Sequence, residues 1–148
     1  MRTLTENVRF TRISNAVAPG VTVVNSASVD MTGFESVTFI VSLGAIVAGA
    51  ATSVNAQSST DDGDADAFAD LAGTGVTVAD DDDNQVVVLE VHNPRERYVR
   101  CVVSRATQNS TVDGIVALQG GPKAAPVTQD ATTVVAAEAH HAPAAGTA

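Results

Sequence analysis

Alternation of apolar and polar side chains is the clearest pattern along this chain. Over residues 36–43, Val37, Phe39, Val41 and Leu43 fall on one side, while Ser36, Thr38, Ile40 and Ser42 fall on the other. That period of two is what a half-buried strand imposes. Two β-branched runs, residues 85–91 and 98–106, predict the strongest strands of the second half. Weaker alternation predicts strands over residues 8–13, 51–57 and 112–119. The run 21–24 predicts another, entered through a turn at Ala18, Pro19 and Gly20. Residues 65–71 predict one or two helical turns packed through Phe68 and Leu71 and stopped by Gly73. Short connections predict that the last strand pairs antiparallel with its neighbours in sequence.

About seven short strands with glycine-rich turns predict an all-β fold, an antiparallel sandwich or barrel, since no helix is long enough for a parallel crossover. The β-rich domain is expected over residues 1–121. Residues 122–148 are expected as an extended or partly disordered C-terminal arm, because Pro122, Pro126 and Pro143 exclude a continuous ladder and the segment has no aromatic residue. Its one strand-like stretch, residues 132–136 around Val134, is a candidate for adding a strand to a neighbouring sheet edge.

Composition sharpens this picture. Of 148 residues, 45% are apolar, but mostly Ala and Val, with four Phe, one Tyr and no Trp. An aromatic side chain buries about 150–250 Å², so a core nearly without them gains from burial against other subunits. Seventeen acidic residues against eight basic ones give a net charge of -9, which repels phosphate backbones and anionic lipid. Neither a nucleic acid nor a membrane is expected as a partner. The longest apolar tract, residues 39–51, is broken by Ser42, Gly44 and Gly49 and falls short of the roughly 20 residues of a membrane-spanning helix. No secretory signal is read at the N-terminus. Cys101 is the single cysteine and lies in an apolar run, so it predicts a buried, inert thiol.

The candidates for chemistry are thin. Asp61, Asp62, Asp64, Asp66 and Asp70 look like a calcium loop, but Ala67 stands where a sharp-turn glycine belongs and Gly73 where a bidentate glutamate belongs. The run Asp80 to Asp83 is expected to face water, a cation or a basic partner, because four adjacent carboxylates repel one another. His92, His140 and His141 do not supply a zinc set. Ser104, Ser110 and Cys101 stand in no nucleophile context, and the glycines at 73, 75, 120 and 121 are turn glycines. No catalytic, cofactor-binding or metal residue is predicted, and no enzyme.

The informative cluster is basic. Arg95, Arg97, Arg100 and Arg105 put four of the eight basic residues into eleven positions, beside the lone Tyr98. Arginine forks pair with carboxylates of the same fold or of a neighbouring copy, and Arg and Tyr dominate interface energetics. The competing structural reading is a set of arginines covering apolar surface at a strand end. Arg95, Arg97, Tyr98, Arg100, Arg105 and Val134 are therefore the predicted partner-binding residues.

Several segments carry a family resemblance: Asp83 and Asn84, Val88 to Val91, Pro94-Arg-Glu-Arg-Tyr-Val-Arg100 continuing to Val102, Asp113 to Gln119, Gly121 to Lys123, and the closing stretch from Glu138. Together they resemble small proteins encoded beside the major capsid genes of tailed phages, similar to head decoration or cement proteins. The resemblance implies a β-rich subunit on the outside of a virion shell, commonly trimeric, that clamps neighbouring capsomers. The implied partners are the major capsid protein and further copies of this chain in a homotrimer. It implies no catalytic residue. Where members carry an aromatic residue near His92 and Gly120, this chain has none. A head–tail joining or tail protein, and a small enzyme or ligand-binding barrel, are the alternative expectations.

Overall fold

The computed structural model describes residues 3–147, so Met1, Arg2 and the closing Ala148 lie outside the description. One helical turn, α1 (Leu4–Asn7), precedes eleven strands: β1 (Arg9–Ser14), β2 (Val17–Gly20), β3 (Val24–Asn25), β4 (Val29–Asp30), β5 (Ser36–Ile46), β6 (Ala51–Ser59), β7 (Ala69–Asp70), β8 (Val76–Val78), β9 (Val86–His92), β10 (Tyr98–Ala106) and β11 (Ser110–Gly120). They form two antiparallel sheets. The first runs β1-β11-β5-β9, with β2 also on β11. The second runs β3-β10-β6-β7, with β4 also on β10 and β8 on β6.

The all-β, antiparallel expectation holds, and the long strands lie where the alternation put them. The four extra strands beyond the expected count come from pieces of two to four residues, too short for a period of two to declare itself. Two local readings are corrected. Residues 17–20 are a strand, not a turn, because Pro19 sits at a margin of the sheet where no ladder hydrogen bond is lost, and the 21–24 run contributes only Val24 to β3. Residues 65–71 are not helical. Asp61 accepts the backbone N–H groups of Asp64, Ala65 and Asp66, which folds the segment into a tight loop that delivers Ala69 and Asp70 to the edge of β6.

Pairing between sequence neighbours is also corrected. The chain passes from β5 in the first sheet to β6 in the second, from β9 in the first to β10 in the second, and back to β11 in the first. Each long strand is apolar on one face only, and crossing between sheets lets both sheets turn that face to one interior. Val37, Phe39, Val41, Val112, Ile115 and Ala117 of the first sheet share a single buried cluster with Val54, Ala56, Val99, Cys101 and Val103 of the second. Its one buried large aromatic ring is Phe39; the rest is mostly valine.

The strand order leaves β1 and β9 at the two edges of the first sheet. At the end of β11, Gly121 turns the chain with a positive φ of 61°, and a side chain there would press within 2.7 Å of Glu35. Residues beyond it run back over the body. Lys123 N–H donates to Gly33 O at 2.9 Å, and Val127 N–H donates to Glu6 O at 2.9 Å.

Phe39→Ala is expected to lower the unfolding free energy by about 3–5 kcal/mol, since it empties the largest buried side chain. Val88→Ala, on the exposed face of β9, is expected to change it by less than about 0.5 kcal/mol. Urea titration followed by circular dichroism measures both.

Candidate partner-binding surface

The segment that joins β9 to β10 leaves one sheet for the other and carries Arg95 and Arg97 at its outer turn. Asn93 starts the turn with a positive φ of 47° and donates its N–H to Glu35 O at 2.7 Å. Arg97 then forks onto Asp30, Nε to Oδ1 at 3.0 Å and an Nη to Oδ2 at 2.7 Å, while its guanidinium lies 5.0 Å from the centre of the Tyr98 ring. That fork, helped by the Thr32 N–H, holds the Asp30 carboxyl well below the usual carboxylate range. Arg95 is exposed and makes no hydrogen bond or ion pair among the described residues. Arg95, Arg97 and Tyr98 therefore stand together at one end of the body.

Arg100 is placed differently. It rises from the outer face of β10, where Nε and an Nη donate to Gln57 Oε1 at 2.8 and 2.7 Å, and its guanidinium packs 4.2 Å from the centre of the Phe68 ring. The amide of Gln57 donates in turn to Asp70 Oδ1 at 2.8 Å, beside Asn55 at 2.6 Å. A cation, an amide and a carboxylate are thus chained across three strands, and the aromatic ring shields one face of the cation.

Arg105, expected to meet a partner, turns inward instead. It shares the parity of Val99, Cys101 and Val103 and is only 4% exposed. Its Nε donates to Thr22 O at 2.8 Å, and one Nη donates to Ala18 O at 2.9 Å and Ser110 O at 2.7 Å. The other Nη donates to Thr22 Oγ1 at 3.2 Å. Burial lowers its pKa, and three carbonyl oxygens with the Thr22 hydroxyl accept from its fork. Seven residues of extended chain at about 3.3 Å each place it roughly 23 Å from Tyr98. The four arginines do not form one surface.

Val134 lies half-buried on the opposite side of the molecule, its N–H donating to Asp130 O at 2.8 Å. With Phe10 it lines a shallow groove against the arm. Residues 132–136 form a turn and coil, with no strand pairing.

The acidic run is corrected in detail. Asp80 accepts the Gly49 N–H, Asp83 the Ile46 N–H, and Asp82 the Ala79 N–H at 2.9 Å, so three of the four carboxylates hold the β5–β6 and β8–β9 turns. Asp81 remains exposed and accepts no hydrogen bond among the described residues. Asp61 is lowered from its ordinary pKa by the Ala65 N–H and its neighbours in the loop. Among the described residues, no group of three or more His, Cys, Asp or Glu side chains converges as metal ligands. Burial pushes the Cys101 thiol up to about 12, which keeps it protonated and inert. His140 sits 3.2 Å from Glu138 on the exposed arm. Among the described residues, no helix is long and apolar enough to cross a membrane.

Two glutamines that the sequence reading passed over matter as much as the arginines. Gln119 is buried on β11 and donates from Nε2 to Asp30 O at 2.7 Å, joining the two sheets. Its position in the period of β11, on the core side with Ile115 and Ala117, was the available signal. Gln129 gave no signal, because its three partners lie in residues 5–10, far away in sequence.

No protein-family model matches the chain, and no curated protein matches it.

Two outcomes test the electrostatics. Asp30 has a lowered folded pKa, so its contribution is present above the ordinary value of 3.8 and is lost as the pH falls below it. Both partners are partly exposed, so Asp30→Asn should cost about 0.5–1 kcal/mol at neutral pH. The gap to wild type should narrow as the pH falls below 3.8 and close only where the folded carboxyl protonates, well below that value, read by urea titrations at stepped pH. Arg105→Met keeps the bulk but strips three carbonyls of their donor, and should cost about 3 kcal/mol or more.

Proposed function

We propose that this chain is a structural subunit of a tailed-phage head: a decoration protein that binds the outer surface of the shell through the major capsid protein and assembles as a homotrimer. In this reading the two sheets form a β-sandwich whose body is a rigid spacer and whose ends carry the contacts.

The observation that supports it best is the arm. Residues 121–134 are tied to the body by hydrogen bonds at Gly33, Glu6 and β1, whereas every residue from 135 to 147 is exposed. Ordering such a segment costs roughly 1–2 kcal/mol per residue and brings no burial within its own fold, so its compensation must lie on a second molecule. An arm anchored at its root and open at its end suits clamping between subunits. Arg95 and Tyr98, at the other end of an acidic body, support a self-contact, since an arginine fork and an aromatic ring are the usual anchors of an interface.

Full-length protein titrated against bare shells should occupy hundreds of sites. Removal of residues 135–148 should weaken that binding at least tenfold, about 1.4 kcal/mol, while leaving the urea midpoint unchanged. Saturation at six or twelve copies would move the protein to a ring at the tail axis. No binding to shells at all would end the proposal.

A further inference from the structure

The two edges of the first sheet are treated in opposite ways. Along β1, the Gln129 side chain stands in for a missing strand: its Oε1 accepts the Phe10 N–H at 2.9 Å, and its Nε2 donates to Val8 O at 2.8 Å and Thr5 O at 3.0 Å. Thr133 Oγ1 accepts the Arg12 N–H at 3.3 Å. That edge is closed. Among the described residues, β9, at the other margin, pairs only with β5.

The register shows what β9 leaves open. Val37 is opposite Val91, Phe39 opposite Leu89 and Val41 opposite Val87, while Leu43 N–H donates to Gln85 O and Asn93 N–H to Glu35 O. In an antiparallel ladder, alternate residues exchange both bonds with the partner, so residues 85, 87, 89, 91 and 93 face β5. Val86, Val88, Glu90 and His92 turn their N–H and C=O groups to the open side. The side chains of Val86 and Val88 are 59% and 61% exposed. Native edges are usually blunted by Lys, Pro or a bulge, and β9 has none of these.

Charge identifies the occupant. The acidic turn Asp80 to Asp83 leads into β9, and His92, Arg95 and Arg97 follow it. A second copy laid antiparallel reverses this order, so each acidic turn meets the basic loop of the other copy, with exposed Asp81 and Arg95 as the groups without partners of their own. We infer that two copies of this chain join edge to edge through β9 about a two-fold axis, with Val86 opposite Val88 of the second copy. The neighbouring registers are worse. Centring the axis on Glu90 opposes two carboxylates, centring it on Val86 sets Glu90 against Asp82, and centring it on Val88 sets Val86 against Glu90. In the inferred register the four valines form one apolar row on the outer face. The contact is isologous, so in the proposed head protein it links one trimer to the next rather than building the trimer. It needs no shell and is measured on the isolated chain.

Directly opposed residues of this kind have Cα atoms about 5.5 Å apart, within disulfide reach. Val86→Cys and Val88→Cys proteins, mixed and mildly oxidised, should give a covalent dimer at least tenfold faster than either alone; Cys101 is buried and does not compete. Val23→Cys, exposed just before β3 at the far margin of the second sheet, is the control. Val88→Pro removes only an outward N–H and leaves the β5 ladder intact, so it should lower the sedimentation mass of the full chain at least twofold with unchanged circular dichroism. The inference is overturned if the mixture links no faster than the Val23→Cys control or the single variants, or if a folded Val88→Pro protein keeps the wild-type mass. Shell binding can survive either result, so the two proposals fail separately.

Discussion

A buried guanidinium holds this molecule together at one end. Arg105 extends from β10 of the second sheet and donates to Ala18 on β2 and Ser110 on β11, both in the first sheet, and to Thr22 between β2 and β3. Gly20 makes the approach feasible, since a side chain there would press within 3.3 Å of the fork. Beside it, Thr52 Oγ1 of β6 lies 3.0 Å from Ser110 Oγ of β11, a second polar link between the sheets. At the far end Gln119 performs the same task toward Asp30. A charge removed from water is costly unless its donors find acceptors, and here three backbone carbonyls and the Thr22 hydroxyl accept from four of its five N–H groups.

Between these two polar closures lies an interior in which valine is the commonest residue, with a few isoleucines and leucines and one phenylalanine. Small side chains contribute little area each, so the fold depends on many of them meeting across two long, regular ladders, β5 with β11 and β6 with β10. The polar links at the ends fix how the two ladders lie against each other, which dispersion between similar valines specifies weakly.

The margins of the body divide by charge and by backbone. Acidic side chains are used mainly to tie turns: Asp61 closes its own loop, and Asp80, Asp82 and Asp83 hold the ends of β5 and β8. The large negative charge is therefore partly a consequence of capping backbone donors, with Asp81 and the exposed loop residues left to act at long range. One sheet edge is covered by the chain's own arm, and the other is open beside a basic loop. Within the first sheet, that asymmetry leaves β9 as the margin without a covering segment.

Much of the fold was legible in the sequence, because the period of two reports which face of a strand meets water. Val37, Phe39, Val41 and Leu43 declared their side at once, and the buried state of Cys101 followed from its apolar neighbours. The same period, read one step further, places Arg105 inside with Val99 and Val103; grouping residues by charge along the chain hid this, because nearness in sequence is not nearness on one face. The sequence by itself determined the long strands, the small-residue core and the proline-broken tail, all of which depend on neighbours within a few positions. Only the tertiary structure decided that consecutive strands cross between sheets, that Gln129 closes β1 and that β9 stays open. Those features rest on hydrogen-bond partners more than a hundred residues apart for Gln129 and about forty to sixty for β5 and β9, and no local pattern encodes which distant donor finds which acceptor.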